Sequence, residues 1–325
     1  MDKNLKGVEE YREKALEILE GRGVKTHILE GGTEKQLTLA RNEKVLEKIG
    51  LKMRVIHEDF SPDISCEFLG RKISSPVMPA PLSGLVKTAS KDFFKVVVEN
   101  SKRMGVIPWI GYPIPDKIED LGGDFIWIIK PLSDRKKIEE EIERAEKCGA
   151  FAVGIDIDSA SSVKICYQTL SYGGLSPLSK KELEDLVSIT KLPFIAKGVL
   201  SEEDYELAVD SGCKAVVVSN HGGRVLDSAI SPLELLMNLD KRVDTGVDSG
   251  FRTGTDIFKA IALGADFVLV GRPIIYGVAV DEQNGAHSIL EILSNELKRT
   301  MVLCNTRNLD EIRESRDRVL VMGAF

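Results

Sequence analysis

The sequence predicts an α/β chain folded as a TIM (β/α)8 barrel with an N-terminal helical cap and a short hairpin. Three observations carry this. After Pro76, short apolar runs rich in Val, Ile and Phe alternate with amphipathic helical stretches. Eight such runs can be read, the number that closes a barrel. The connections are short, which in a β-then-α chain implies parallel strands.

The elements follow in order. Residues 7–19 carry Val8, Tyr11, Ala15 and Leu19 at spacings of three and four, an amphipathic helix stopped by Gly21 and Gly23. A second helix begins near Thr33, sets Leu37, Ala40, Val45, Leu46 and Ile49 on one side, and ends at Gly50. Residues 64–68 and 72–74 flank a Leu-Gly-Arg turn, a hairpin that would close the barrel floor. Residues 1–75 lack the apolar strands of a separate core, so they read as a cap and lead-in to a barrel over 76–325, one structural domain overall.

Strands are expected at 77–80, 106–110, 125–129, 151–157, 194–196, 215–219, 245–248 and 267–270, of which the seventh is unusually polar. Ser201 with Asp204, and Ser179 with Glu182, resemble capping boxes, while Gly149 and Gly264 stand where helices end. A helix over 286–303 completes the barrel, and the charged tail after Asn308 reads as a solvated end. The run KKIEEEIERAEK reads as a solvated helix face, His57 and His287 as surface or packing residues, and Trp109 and Trp127 as lining the barrel or its mouth. A doubly wound open sheet is the structural alternative, but it would leave polar strand ends without a common mouth.

A formal net charge of −7 with no dense basic run argues against nucleic acid or an anionic membrane and for a small-molecule ligand. The five cysteines are scattered, with no CxxC pair, so no disulfide framework or metal site is expected and a reducing, cytoplasmic setting fits. The amino terminus is charged, and no apolar run approaches the ~20 residues of a membrane helix.

In a barrel the functional side chains gather at the C-terminal strand ends. Those ends hold Asp156 and Asp158, then Lys197, then His221 and Arg224, then Asp248 and Arg252, and finally Gly271 and Arg272. The run AVVVSNHGGRVLD at 215–227 delivers a base and a cation together, and two glycines just past the histidine allow a sharp turn. Gly250, Gly254, Gly271 and Arg272 place glycines and an arginine where barrels bind phosphate.

KGV at Lys197, SNHGGRVLD from Ser219 and DSGFRTGTDIFKAIALGADFVLVGRP from Asp248 resemble the FMN-dependent α-hydroxy-acid oxidase and dehydrogenase family, which includes glycolate oxidase and lactate oxidase. Residues 192–309 carry most of the similarity, with fainter echoes at GGTEKQLTLARNEKVLEKI and GRKISSPVMPAPLSG. The resemblance implies an FMN enzyme that oxidises an L-2-hydroxy acid, lactate- or glycolate-like or larger, to the 2-oxo acid. FMN would meet Pro79, Ala80, Pro81, Ser219 and Lys197, with Asp248 near the ribityl chain and the phosphate at Gly250, Arg252, Gly271 and Arg272. Lys197 would stabilise negative charge on the reduced flavin, His221 would be the base, Asp156 would support the histidinium, and Arg224 would grip the substrate carboxylate. A homo-oligomer, tetramer or octamer, is also implied; the electron acceptor is not.

The chain departs from the family in three places. Ile28 and Leu29 replace a tyrosine pair; the adjacent His27 reads first as an ordinary surface or packing histidine, with a substitute polar contact as the alternative. Trp127 and Lys130 stand where the family has Gln and Tyr after the third strand. Residues 158–177 form a short loop with only Lys164 in place of a second carboxylate-binding arginine. Losing one charged donor from a dry site costs ~2 to 5 kcal/mol, enough to redirect substrate choice. Two alternatives accompany the oxidase reading: a non-redox flavin isomerase of the type 2 isopentenyl-diphosphate isomerase kind, and a flavin-binding sensor or scaffold. The SNHGGR pattern and the retained His221, Lys197 and Arg224 argue against both.

Overall fold

Short runs dominated by Val, Ile, Ala and Phe form one eight-stranded parallel sheet in the computed structural model, which describes residues 5–84, 86–113, 118–161, 163–165, 168–170 and 174–323. The strands are β1 (Val77–Pro79), β2 (Trp109–Gly111), β3 (Ile126–Ile129), β4 (Ala152–Asp156), β5 (Phe194–Val199), β6 (Ala215–Val218), β7 (Asp244–Val247) and β8 (Phe267–Val270). They hydrogen-bond in the order β1-β8-β7-β6-β5-β4-β3-β2, and a parallel bridge from Leu82, just past β1, to Ile110 in β2 closes the ring. Closure removes the free edges that an open doubly wound sheet would keep. Strand residues are buried almost without exception, as a parallel sheet covered by helices requires.

Two strands differ from expectation by more than one residue at an end, for identifiable reasons. β2 begins only at Trp109 because Pro108 has no N–H to give the ladder. β5 runs on to Val199, with a register shift between Lys197 and Val199. The polar seventh strand forms because its polar groups are used: Asp244 accepts from Leu69 N at 2.7 Å, and the Thr245 hydroxyl donates to Val243 O at 2.8 Å.

The hairpin, Cys66–Phe68 with Arg71–Ile73, closes the barrel floor. Phe68 meets Phe267 edge-on at 4.7 Å, and Trp109 packs 5.7 Å from Phe267. Trp127 points the other way, toward Arg144 on the helix Arg135–Lys147. That helix buries Ile138, Ile142 and Ala145 and turns its charged residues outward. Ser179 and Glu182 complete a capping box, whereas Ser201 accepts from Asp204 N without the reciprocal bond.

The N-terminal helix Val8–Gly21 packs against the short helix Arg272–Val280 that follows β8. A short helix at Thr26–Glu30 precedes the helix Leu37–Lys48, which ends two residues before Gly50. Gly50 lies instead in a strand, Ile49–Leu51, paired antiparallel with Leu320–Met322. The tail after Asn308 is therefore not a solvated end. Its helices Leu309–Glu314 and Arg316–Val319 bury Leu309, Ile312 and Val319, apolar positions too sparse among the charges to show as a pattern. Among the described residues, no helix is long and apolar enough to cross a membrane. Cys166 and the Lys164 side chain lie outside what the structure describes.

Candidate active site

The strand ends open on one cleft with about 990 Å³ of space unfilled by protein, counted to its solvent opening. Ala80, Pro81, Lys197, His221, Arg224, Asp248, Gly250, Arg252, Gly271 and Arg272 all line it, as does Asp156. Pro79 and Ser219 are buried and do not line it; the Ser219 hydroxyl instead accepts the His221 N–H at 3.0 Å.

The loop after β6 carries the histidine in an uncommon backbone conformation. His221 has φ 56°, the left-handed region that side chains other than glycine enter sparingly. It is held there from both sides, by Ser219 and by the Gly222 N–H donating to Ser249 Oγ at 2.9 Å. Asn220 exchanges side-chain amide bonds with Asn42 of the cap helix at 3.0 and 2.7 Å. Gly223 has φ 78°, and a Cβ there would stand 2.8 Å from Leu39 N, so only glycine lets the loop approach the cap so closely. Arg224 donates to the carbonyls of Ile28, Leu29 and Gly31, which ties part of its guanidinium to the segment where the family's tyrosines are replaced.

Below the histidine lies a buried chain of alternating charge. Asp156 Oδ2 accepts from Lys130 Nζ at 2.5 Å and Oδ1 from Lys197 Nζ at 2.9 Å, and Lys197 reaches Asp248 Oδ2 at 3.4 Å. Burial alone would raise the Asp156 carboxyl, but Lys130, Lys197 and His221 outweigh it and hold the group well below the usual carboxylate range. Burial would likewise strip Lys197 of its proton, yet Asp156, Asp248 and Asp158 keep it raised and charged. The sequence reading put Asp156 behind the histidine. In the structure His221 Nδ1 lies 3.1 and 3.2 Å from the two Asp158 oxygens and 3.6 Å from Asp156. Donor atoms of Asp156, Asp158 and His221 lie within 4.8 Å of one another, close enough to hold a cation, and the cations beside Asp156 are Lys130 and Lys197.

At the other end of the cleft three guanidiniums converge. Burial, with Arg224 and Arg252 nearby, pushes Arg272 down to about 9. Arg272 spends its donors on the carbonyls of Leu29, Gly31 and Gly222. Glu30, taken up by Arg12 and Tyr276, lowers this excess of positive charge only in part. A dianion such as a phosphoryl group would offset charge of this sign. His27 does not reach this cleft; it lines a neighbouring cavity with Glu30, Arg252 and Arg272.

Sequence reasoning leaves Tyr112 and Ser83 out of the site and names Lys130 only as a replacement after the third strand; all three line the cleft. Asp158 was among the strand ends but was given no part. The spacing Asp156-x-Asp158 just past an apolar strand was the available signal, since residues two apart can turn to one side.

Comparison with known proteins agrees with this geometry. A family model described as FMN-dependent dehydrogenase matches residues 23–169 and 169–318. The 2-hydroxyacid oxidase of Dictyostelium discoideum is 32% identical over 323 aligned positions, covering 87% of this chain and 83% of that protein. Glycolate oxidase of Spinacia oleracea is 29% identical, covering 87% of this chain and 88% of that protein. The crystal structure of mandelate oxidase superposes with a TM-score of 0.88 at 26% identity, covering 99% of this chain and 100% of that one. The cleft fits the cofactor that the family description names: Arg224, Arg252 and Arg272 gather positive charge at one end, and Lys197 presents a protonated amine beside Asp248 at the other. The chain belongs to the FMN-dependent dehydrogenase family, and its cofactor is FMN.

Proposed function

We propose that this protein oxidises an L-2-hydroxy acid to the 2-oxo acid, with His221 as the base. The observation that carries the reading is the pairing of His221 Nδ1 with Asp158 at 3.1 Å, on a ring that lines the cleft beside Lys197 and Arg224. Relatives named 2-hydroxyacid oxidase and glycolate oxidase support the substrate class. The conversion removes two protons and two electrons from the carbon and oxygen at C2. Bound FMN would supply the acceptor for the two electrons and for the second proton. His221 takes one of the protons, and Arg224 attracts the substrate carboxylate. Lys197, held protonated by its carboxylates, offsets the negative charge that arrives with the electrons.

The FMN contacts belong to the same proposal: Arg252, Arg272, Gly250 and Gly271 for the phosphate, Asp248 for the ribityl chain, and Ala80 and Pro81 along the ring. Pro79 and Ser219 are buried outside that lining. We also propose residues 1–75 as a cap on a single barrel domain, a homo-oligomeric assembly, and a reducing, cytoplasmic compartment, the last supported by Cys66, Cys148, Cys213 and Cys304 being free thiols.

Anaerobic mixing of the FMN-loaded protein with glycolate, lactate and larger L-2-hydroxy acids tests the activity. At least one acid is expected to bleach the flavin and to yield one 2-oxo acid per flavin reduced. Absence of bleaching across the whole series, with flavin that dithionite still reduces, would contradict the proposal.

A further inference from the structure

Two carboxylates stand within reach of His221, and their surroundings differ. Each oxygen of Asp156 is held by a buried ammonium, Oδ2 by Lys130 at 2.5 Å and Oδ1 by Lys197 at 2.9 Å. Such a carboxylate has its charge offset and its most accessible lone pairs taken. Its closest approach to His221 Nδ1 is 3.6 Å, beyond a normal hydrogen bond. Lys130 is further anchored by Ser159 Oγ at 2.8 Å. Asp158, by contrast, turns both oxygens to Nδ1 at 3.1 and 3.2 Å, and takes a long bond from the Ser159 hydroxyl at 3.3 Å.

A separate feature of the barrel makes room for this second carboxylate. β5 slips register at Gly198, whose φ is 95°, and a Cβ there would lie 2.5 Å from Asp158 Cγ and 2.7 Å from Asp158 Cβ. The bulge and the aspartate occupy space that a side chain at 198 would deny.

We propose that Lys130 withdraws Asp156 from His221, and that Asp158 is the positioning carboxylate, holding Nδ1 protonated and leaving Nε2 to face the substrate. This rests on the reading of His221 as the base. It adds that the chain has moved the orienting role two residues along, as the consequence of a buried lysine after β3.

Nitrogen-15 NMR of the FMN-loaded protein, at a pH where the ring is neutral, reads the tautomer directly; the His221 signals among the four histidines are identified by their loss in His221→Ala. The unmodified protein is expected to show the Nδ1–H form. An Nε2–H ring there overturns the proposal whatever the variants do. Asp158→Asn is expected to shift the ring toward the Nε2–H form and to slow anaerobic flavin reduction by roughly 100- to 10,000-fold, with substrate KM within a few-fold. Asp156→Asn is expected to keep the Nδ1–H form, and Gly198→Ala, which alters no charge, to disturb the tautomer as Asp158→Asn does. The reverse assignment, with Asp156→Asn switching the tautomer and Asp158→Asn leaving it, would overturn the proposal. Because the tautomer is read without turnover, a protein that oxidises no hydroxy acid yet shows this pattern would remove the proposed activity and leave the placement of Asp158 standing.

Discussion

Lys130 Nζ lies 2.5 Å from Asp156 Oδ2, and both side chains are nearly sealed from solvent, 4% and 5% exposed. With Lys197 on the opposite oxygen, Asp156 forms the centre of a buried ion triad under the cleft. Removing a member of such a group leaves an uncompensated charge in a medium that solvates it poorly.

The triad makes stability depend on acid. The folded-state pKa of Asp156 is depressed by Lys130, Lys197 and His221 against the opposing effect of burial. Its contribution is therefore present above the unfolded carboxylate value, near ~3.9, and is lost as pH falls from there toward the lower folded value. Urea unfolding between pH 6 and pH 2.5 is expected to show a loss of up to about 1.4 kcal/mol per pH unit from this one proton, absent in Asp156→Asn. Equal slopes in the two proteins would show that Asp156 is not held in this way.

Anion binding at the arginine cluster gives a second expectation. In the proposed site Arg272, pushed down to about 9 by burial and by Arg224 and Arg252, would gain an anionic partner from the FMN phosphate. FMN at 100 times its Kd is expected to stabilise the apoprotein by about 2.7 kcal/mol, read as a rise in Tm. Arg272→Met is expected to weaken FMN binding at least about 30-fold, the low end of the ~2 to 5 kcal/mol for losing a buried charged contact. A variant that binds FMN within two- to threefold of the wild type would place the phosphate elsewhere.

The C-terminal segment is part of the folded body, so its apolar residues carry stability. Ile312 is fully buried, and Ile312→Ala is expected to cost about 2 to 5 kcal/mol by denaturant unfolding. A change below about 0.5 kcal/mol would restore the solvated tail that the charge pattern suggested.

That segment marks where the sequence stopped being legible. The barrel was readable because each strand is a contiguous apolar run, and even the polar β7 was flanked by turn residues at the right interval. The strands Ile49–Leu51 and Leu320–Met322 were not, since each is three residues long and makes sense only once the end of the cap helix meets the C-terminal segment. The site divides along the same line. His221, Lys197, Asp248 and Arg272 stand at strand ends, where position implies the cleft. The exchange of Asp156 for Asp158 depends on which carboxylate a lysine 26 residues upstream captures, a pairing that no local pattern encodes. Trp127 and Lys130 were noted together, but strand alternation sends them to opposite sides: Trp127 to the helix layer under Arg144, Lys130 into the cleft.

In the proposed reaction the imidazole of His221 takes the proton whose loss lets a 2-hydroxy acid reduce the flavin. Stopped-flow bleaching of bound FMN under anaerobic conditions, comparing wild type with His221→Ala at saturating substrate, measures this most directly. The first-order rate is expected to fall roughly 100- to 10,000-fold, with FMN affinity retained. Bleaching at the wild-type rate in His221→Ala would contradict it.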